Sequence, residues 1–459
     1  MDKKIQKELQ KIVGEDDLFT DSLSLTCYSR DRLPWASNTN WSAAHIDKPA
    51  VVIRPESTEE VAAIVKLANK HKLPLVPRAA GTGFMGAAVA VKEGSLLLDL
   101  RKMDRIVEVN EDDHKVIVQP GINLERLDDK LAAHNLIVGH DPGSTCSSTI
   151  GGALSNDGTG ALCNKFGTMR EMVLGLTVVL PTGEVLKTND ASKSAIGYNL
   201  RYLFIGAEGT LGIITEVSLK AKPRGVMRLG CWEFASFLDA YQAVDSIGKA
   251  DLVPARISLQ DIGRSGSLSR STGRTIQASA AACFLENEQI MERKFELVKA
   301  SMEASGGISL EEEHCRYWWD NRHNYPQSEG VWQVLETCVP WSKVPEAFQQ
   351  VNTILDKAGY TRSRSMGCFA YNPTPWSVDL YFDEHDDQDM QRLIDLEHEI
   401  RRLSLGLGGA MSSCHGIGCF LPDLAKEELG YSLEVMRKIK ATFDPNNIMN
   451  PGKMGLEQT

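Results

Sequence analysis

Short apolar runs alternate with amphipathic stretches through the first half of the chain. The run at 51–53 predicts a strand, and Ser57 with Glu60 forms a capping box before a helix with apolar positions at 61, 64, 65 and 68. A second strand is predicted at 74–77. A strand, a helix and a strand within about 30 residues have the size of a parallel crossover.

The same patterns continue to residue 222. Further strands are predicted at 95–100, 106–109 and 115–118, a helix at 123–134, and a hairpin at 176–180 and 184–186 that turns through Pro181, Thr182 and Gly183. Glycine is frequent throughout. We therefore predict an α+β fold whose first domain spans 1–222, with its core at about 46–222.

The glycine content and the hydrophobic periodicity of the sequence change after Pro223. Glycine becomes rarer, and longer helix patterns at 288–304, 344–358 and 386–405 alternate with strand-like runs. This pattern predicts an α/β substrate (cap) domain at 223–409. A C-terminal segment at 410–459, with a helix predicted at 424–443, is expected to return to the first domain.

Composition and charge narrow the class of protein. The 459 residues include 42% hydrophobic and 24% charged residues, which is ordinary for a folded soluble chain. A net charge of -11 and the lack of basic runs argue against nucleic-acid binding. The N-terminus lacks an apolar signal-peptide core, and no segment approaches the ~18 apolar residues of a membrane span. We expect a cytoplasmic protein, with peripheral membrane docking left open.

Ten cysteines are scattered along the chain without a CxxC pair. This spacing indicates mostly free thiols in a reducing compartment, and it contains no zinc-ribbon or iron–sulfur motif.

Three glycine-rich stretches are candidates for a cofactor site. They lie at 77–88, 141–153 and 204–215, and small residues in such loops let backbone N–H groups converge on a pyrophosphate. The alternative is three unrelated turns. The first stretch contains GTGFMG but is followed by another small-residue stretch and a strand, so it is not a Rossmann fingerprint.

Four segments of the chain carry a family resemblance. The chain contains PAVVIRPESTEEVAAIVKLANKHKLPLVPRAAGTGFMGAA, DPGSTCSSTIGGALSNDGTGALCNKFGTMREMVLGLTVVLPTGEVL, YNLRYLFIGAEGTLGIITEVSL and MRKIKATFDPNNIMNPGKM. Together they resemble the FAD-binding oxidoreductases of the vanillyl-alcohol-oxidase superfamily, with its PCMH-type FAD domain of two subdomains. The most similar branch contains D-lactate dehydrogenases, glycolate oxidase flavin subunits and D-2-hydroxyglutarate dehydrogenases.

The resemblance implies bound FAD and names the residues that would hold it. The pyrophosphate loop would comprise Pro77, Arg78, Ala79, Ala80, Gly81, Thr82, Gly83, Phe84 and Met85. The ribityl chain and flavin would lie beside Pro142, Gly143, Ser144, Thr149, Ile150, Gly151 and Gly152, with Asn156 and Gly160 flanking the ring. Ile214 would contact the adenine end, and Glu208, Gly212, Ile213 and Asn450 complete the expected set.

Two departures in the loops bear on how FAD is held. Ala79 stands where the family usually has glycine, and alanine still permits close approach. Thr82 occupies the position of the attachment histidine of covalently flavinylated relatives, so a non-covalent FAD is expected. Cys146 is interpreted as a free loop cysteine, the alternative being a cysteinyl flavin.

The motif MSSCHGIGC at 411–419 carries the candidate base. Taken alone, His415 has three interpretations: a base, half of a metal site, or a buried histidine bonded to the backbone. The resemblance to the family's HGIG motif favours the base.

The same resemblance makes Arg322, at the end of WWDNR, the residue that binds a substrate carboxylate, with a surface ion pair as the alternative. Tyr325 is a further candidate for a polar contact to substrate.

The metal-binding pattern of the metal-dependent relatives is altered. Those relatives have two histidines in a GHxGDGNxH-like strand and a glutamate before the HGIG histidine, whereas this chain has SMGCFAYNPTPW and Cys414. Cys368 and Cys414 thus occupy two ligand positions. Loss of the metal is the favoured interpretation, and a thiolate site or a redox or packed cysteine pair are the alternatives.

These features predict an FAD-dependent oxidoreductase acting on a small anionic alcohol, most simply a D-2-hydroxy acid. The alternatives are an alkylglycerone-phosphate-synthase-like enzyme without net oxidation, a flavin subunit that passes electrons to an electron-transferring flavoprotein or an iron–sulfur partner, and a silent flavin-binding module. The electron acceptor is left open between a quinone, an electron-transferring flavoprotein and oxygen, and a homodimer or a subunit of a complex is allowed.

Overall fold

The computed structural model describes residues 2–34, 45–323, 331–360, 365–368, 370–371, 374–382 and 386–457. Its strands, in chain order, are β1 Leu18–Phe19, β2 Val51–Ile53, β3 Leu75–Arg78, β4 Leu96–Asp99, β5 Ile106–Asn110, β6 Lys115–Val118, β7 Leu136–Ile137, β8 Val173–Val179, β9 Val185–Lys187, β10 Ile213–Lys220, β11 Lys222–Pro223, β12 Val226–Phe234, β13 Arg256–Gln260, β14 Ala278–Glu286, β15 Ile308–Ser309, β16 Val331–Cys338, β17 Ser365–Cys368 and β18 Pro375–Phe382.

The α-helices of the described part include those predicted at 288–304, 344–358 and 386–405, within one or two residues at each end, and several short ones that were not predicted. They are Lys3–Val13, Ser22–Tyr28, Thr58–His71, Leu124–Leu131, Ile150–Ser155, Cys163–Phe166, Met169–Met172, Phe237–Lys249, Gly266–Thr272, Glu288–Ala304, Glu312–Asp320, Val344–Lys357, Asp387–Gly406, Pro422–Leu429 and Tyr431–Phe443. The α+β class is confirmed.

Two larger sheets and the two-stranded sheet β11-β7 make up the described first half of the fold. The four-stranded sheet has the order β1-β2-β4-β3, and β2 and β3 both run parallel to β4. The predicted crossover is therefore present, but β4 lies between its two strands. The five-stranded sheet β5-β6-β10-β8-β9 is antiparallel. Buried Val179 and Ile213 pack in the same core as the helix Thr58–His71, which joins the two sheets.

The second half is built on a seven-stranded sheet, β15-β12-β14-β13-β17-β18-β16, whose strand pairs are antiparallel. Buried residues of the four long helices at 237–249, 288–304, 344–357 and 387–406 pack with this sheet in one hydrophobic core. The domain boundaries at 222/223 and 409/410 stay predictions.

The C-terminal segment differs from its prediction in one respect. The helix predicted at 424–443 is wrong as a single element, because the chain forms two helices that meet at Gly430. Gly430 has φ 50° and ψ -126°, a conformation that L side chains rarely adopt and that ends the first helix. Beyond the second helix, Met449 bridges Leu75 of β3 in parallel, so the tail does reach the first sheet.

Among the described residues, no helix is both long enough and apolar enough to cross a lipid bilayer. Localisation in the cytoplasm stays a prediction.

The C-terminal segment depends on a buried ion pair. Lys440 Nζ bonds the Asp444 carboxylate and the Met449 carbonyl, and Asp444 accepts the N–H groups of Ile448 and Met449. Asp444→Ala leaves a buried ammonium without its partner, so we expect a loss of about 3–5 kcal/mol of unfolding free energy. Urea unfolding followed by circular dichroism measures it.

The matched control is Glu434→Ala, which removes an exposed ion pair with Arg437 in the same helix. That change should cost less than about 1 kcal/mol. Equal losses in the two variants would contradict the importance of the buried pair.

Candidate active site

The three glycine-rich stretches meet in space. Gly152 lies against Ala79, since a Cβ at Gly152 would be 3.2 Å from the Ala79 Cβ. The N–H of Glu208 donates to the carbonyl of Ser155 at 2.9 Å, and Gly209 packs on Pro77. The interpretation as three unrelated turns is therefore wrong.

The first stretch is shaped by Arg78. Its side chain is buried, its guanidinium donates to the Ala88 carbonyl at 3.1 Å, and it lies 5.6 Å from the ring centre of Tyr28. Gly81 has φ 68°, and a Cβ there would overlap the Arg78 guanidinium. Glycine at 81 is thus required both by the backbone conformation and by the close approach of Arg78.

Buried polar atoms without protein partners mark the space between the stretches. Thr149 Oγ1 and Asn450 Oδ1 are of this kind within the described chain, although Asn450 Nδ2 bonds the carbonyls of Ala87 and Glu208 at 2.9 and 2.7 Å. Buried polar groups are nearly always hydrogen-bonded. The donor and acceptor groups of FAD would supply the missing partners, so these residues fit the cofactor.

The other predicted cofactor residues lie around this space or at its edges. Asn156 is 3.7 Å from the position of a Cβ on Gly83, and Gly160 packs against the Asp141 backbone. Pro142, Gly143 and Ser144 form a partly exposed turn. Gly212 packs on the end of β8, and Ile213 and Ile214 begin β10 and are buried. Their contacts with FAD stay predictions.

Glu208 connects the third stretch to the HGIG motif. Its carboxylate accepts the N–H of Ile417 at 2.6 Å and that of Gly418 at 2.9 Å. Burial raises the pKa of Glu208 to about 7, although these backbone donors favour its charged form. The N–H of Cys419 also donates to the Met85 carbonyl at 3.0 Å, so the motif is held against the first stretch as well.

These bonds place His415 at the cofactor loops. Its ring centre lies 5.0 Å from that of Phe84, and its side chain is 14% exposed. Nε2 is 3.6 Å from the Glu336 carboxylate, while Nδ1 is buried and has no partner among the described residues. Burial lowers the pKa of His415 below its usual range, so the imidazole is neutral at physiological pH, as a base must be.

Glu336, Cys414 and His415 are the group in the described part of the chain that could hold a metal ion, with ligand atoms within 4.8 Å of one another. The Cys414 Sγ lies 2.5 Å from Glu336 Oε2. Burial and the negative charge of Glu336 raise the pKa of Cys414 well above its ordinary value, which keeps the thiol protonated as a donor. A cysteine binds a metal ion as the thiolate, so a metal ion at this group would have to displace the thiol proton.

Cys368 is not part of this group. It packs in the core of the seven-stranded sheet, and burial raises its pKa to a value far above that of a reactive thiol. Within the described ranges, the suggested metal site shared by Cys368 and Cys414 is therefore not formed, because the two cysteines have no third ligand in common.

Arg322 forms an ion pair within the protein, and its predicted role toward a substrate carboxylate stays a prediction. Its Nε and Nη2 donate to the Asp141 carboxylate at 3.0 and 3.2 Å, and Nη1 donates to the Trp319 carbonyl. His323 Nε2 lies 2.9 Å from the same carboxylate. Burial alone would raise the pKa of Asp141, but His323 and Arg322 outweigh it and hold the pKa well below its usual range.

Comparison with known proteins identifies the family and the cofactor. Residues 49–189 match the sequence model of the FAD binding domain, and residues 224–454 match that of the FAD linked oxidases, C-terminal domain. The chain belongs to the FAD-linked oxidase family. It is therefore an FAD-dependent oxidoreductase, and the predicted cofactor is confirmed.

Relatives of this FAD-linked oxidase support the predicted branch. The chain is 32% identical over 436 residues to a probable mitochondrial D-lactate dehydrogenase of Danio rerio, covering 88% of this chain and 84% of the relative. It is 27% identical over 467 residues to the glycolate oxidase subunit GlcD of Bacillus subtilis (strain 168), covering 98% and 97%. Substrate-bound p-cresol methylhydroxylase has the same fold, with a TM-score of 0.80, 18% identity and coverage of 98% and 96%. The PCMH-type architecture is thus confirmed.

Some residues at the site of this FAD-linked oxidase were missed or lie outside the described chain. Tyr325 lies outside the residues that the structure describes. Glu336, Asp141 and Lys453 were not predicted as site residues; Lys453 is 1% exposed and lies near Cys419 and Glu208, which favour its charged form. The NPGK end of the tail quoted for the family resemblance contained Lys453, whereas nothing local in the sequence marked Glu336.

Glu208 offers a direct test of how the FAD-linked oxidase assembles its site. Glu208→Ala leaves two N–H groups of the HGIG motif without an acceptor, at a cost of about 1–3 kcal/mol each. We expect FAD affinity to fall at least ~10-fold, which is about 1.4 kcal/mol. Fluorescence titration of the apoprotein with FAD measures the change.

Glu208→Gln keeps one carbonyl oxygen and should lose less affinity than Glu208→Ala. Glu216→Gln on β10, whose side chain is 29% exposed, is the matched control and should bind FAD normally. Unchanged affinity in Glu208→Ala would show that the motif is positioned by other contacts.

Proposed function

We propose that this FAD-linked oxidase oxidises a small anionic alcohol, a D-2-hydroxy acid, to the corresponding 2-oxo acid. The observation that carries the proposal is His415, a buried neutral imidazole beside the FAD loops with Nδ1 unpartnered in the described chain. The names of the relatives, a D-lactate dehydrogenase and a glycolate oxidase subunit, support the substrate class.

The reaction requires two transfers from the substrate. Bound FAD supplies the acceptor for the hydrogen at C2, which leaves with its electron pair. His415 takes the hydroxyl proton, and the electron pair of the O–H bond becomes the second bond of the carbonyl. The Phe84 ring packs beside His415 and leaves its side chain only 14% exposed.

Arg322 remains the proposed anchor for the substrate carboxylate. A guanidinium has five N–H donors, and the bonds to Asp141 and Trp319 use three of them. Two donors are left for a ligand. Because Asp141 directly precedes Pro142, the ion pair also holds Arg322 against the second glycine-rich stretch. Tyr325 stays a predicted additional contact.

The remaining parts of the proposal concern cofactor attachment and partners. Thr82 in place of an attachment histidine supports non-covalent FAD. Reduced flavin must be reoxidised by a quinone, an electron-transferring flavoprotein or oxygen. The similarity to GlcD supports a role as a flavin subunit, and a homodimer is the other proposed assembly.

Anaerobic flavin bleaching tests the function. The D and L forms of lactate and 2-hydroxyglutarate, and achiral glycolate, are each mixed with the holoenzyme, and loss of flavin absorbance is recorded. At least one D-acid should reduce the flavin. His415→Asn should retain FAD but reduce it 10²- to 10⁴-fold more slowly, the usual contribution of a general base.

Two outcomes would contradict the proposal. If no hydroxy acid bleaches the wild-type flavin, the proposed oxidation of a 2-hydroxy acid is wrong. A synthase-like reaction without net flavin reduction then becomes the better account. If His415→Asn is reduced at the wild-type rate, His415 is not the base.

The pH dependence of flavin reduction provides a separate test. His415 acts as a base only when neutral, and its pKa lies below the ordinary value of about 6.5 because it is buried. The rate at saturating substrate should be flat above about pH 6.5 and fall as pH decreases through the lowered pKa. Stopped-flow reduction from pH 4.5 to 8.5 measures the profile, and a fall centred above pH 7 would disagree with the burial of His415.

A further inference from the structure

We propose that Glu336 is a positioning residue for His415, holding its Nε2–H so that Nδ1 is the atom that accepts the substrate proton. This inference rests on the proposed role of His415 as the base. It assigns a function to a side chain from the seven-stranded sheet, which no local motif in the sequence singled out.

The first observation is that Glu336 and His415 are held together by the fold. Glu336 lies on β16, and the fully buried guanidinium of Arg401 donates to its backbone carbonyl at 3.3 Å. The same Arg401 nitrogen also bonds the carbonyl of Met411, four residues before His415. Arg401 is itself fixed by the buried carboxylate of Glu397 at 2.6 Å. Arg401 therefore connects the strand directly to the segment that carries His415.

The second observation is the asymmetry of the imidazole. Nε2 lies 3.6 Å from Glu336 Oε2, whereas Nδ1 is buried without a partner in the described chain. A carboxylate accepts hydrogen bonds but does not donate them when ionised. It therefore favours the tautomer with the proton on Nε2. The lone pair on Nδ1 is then available to a ligand, and a small approach of the two side chains completes the Nε2–H bond.

The third observation concerns Cys414. Its thiol donates to the same Glu336 oxygen at 2.5 Å, and Ser413 Oγ lies 3.5 Å from that oxygen. The Glu336 carboxylate is thus the shared neighbour of the Cys414 thiol, the Ser413 hydroxyl and His415 Nε2.

Glu336→Gln and Glu336→Asp test the inference in the holoenzyme. The glutamine amide can donate to Nε2, which favours the wrong tautomer, and in a serine protease the equivalent change lowers kcat about 10⁴-fold. Here the carboxylate is not yet in tight contact, so we expect a fall of about 10- to 1000-fold in the rate of flavin reduction at saturating D-2-hydroxy acid. KM should change little. Glu336→Asp should recover part of the rate.

Two further readouts separate this role from a merely structural one. The solvent deuterium isotope effect on flavin reduction should increase in Glu336→Gln, because proton removal becomes slower than hydride transfer. In protein labelled with ¹⁵N-histidine, the His415 signal, identified by its loss in His415→Asn, should show Nδ1 unprotonated in the wild type and protonated in Glu336→Gln. Glu346→Gln, at a 43% exposed side chain that pairs with Lys343, is the control and should match the wild type.

The outcomes distinguish this inference from the proposed function. If no hydroxy acid reduces the wild-type flavin, the proposed function fails, and the NMR tautomer alone supports or overturns the role of Glu336. If the wild type is reduced and Glu336→Gln keeps its rate and tautomer, the inference is wrong. Stoichiometric zinc in the purified wild type that is lost in Cys414→Ser and in Glu336→Gln would also overturn it, because Glu336 would then be a metal ligand.

Discussion

The carboxylate of Glu208 is the contact that makes the cofactor space and the HGIG motif one site. It comes from the third glycine-rich stretch and accepts the N–H groups of Ile417 and Gly418, residues more than two hundred positions later in the chain. A buried carboxylate is costly unless its oxygens are satisfied, and backbone N–H groups in a glycine loop are similarly costly when left unpaired. Each group therefore requires the other. As a consequence, the imidazole of His415, two residues before Ile417, is held beside the FAD loops.

Three parts of the chain contribute contacts to this site. The tail returns to the first sheet through the bridge between Met449 and Leu75, and Asn450 bonds the carbonyls of Ala87 and Glu208. The seven-stranded sheet reaches the site through Arg401, which bonds backbone carbonyls on β16 and at Met411. The ion pair between Arg322 and Asp141 makes another link between the two halves. The site is thus formed only when all three parts are folded together.

Much of this could be predicted from the sequence because it depends on local patterns. The helix Glu288–Ala304 follows its apolar periodicity, and Gly81 and Gly86 lie where a positive φ and close neighbours leave no room for a side chain. The break at Gly430 was missed because one glycine in a helical pattern is often tolerated, and only the backbone angles show that this one ends the helix.

The partners of Arg322 and His415 could not be predicted in the same way. Asp141 and Glu336 lie in segments far from them along the chain, and pairing across such distances is decided by tertiary packing rather than by spacing. Cys414 illustrates the same point. Its position suggested a partnership with Cys368, whereas the fold places it on Glu336.

A crystal structure of the holoenzyme with FAD and a bound 2-oxo acid product tests the central claim most directly. The account predicts that the Ile417 and Gly418 N–H groups remain on Glu208, that His415 Nδ1 lies within hydrogen-bonding distance of the product's keto oxygen, and that Nε2 faces Glu336. A product bound with its keto oxygen remote from His415, or an imidazole whose Nδ1 faces away from the product, would contradict the account.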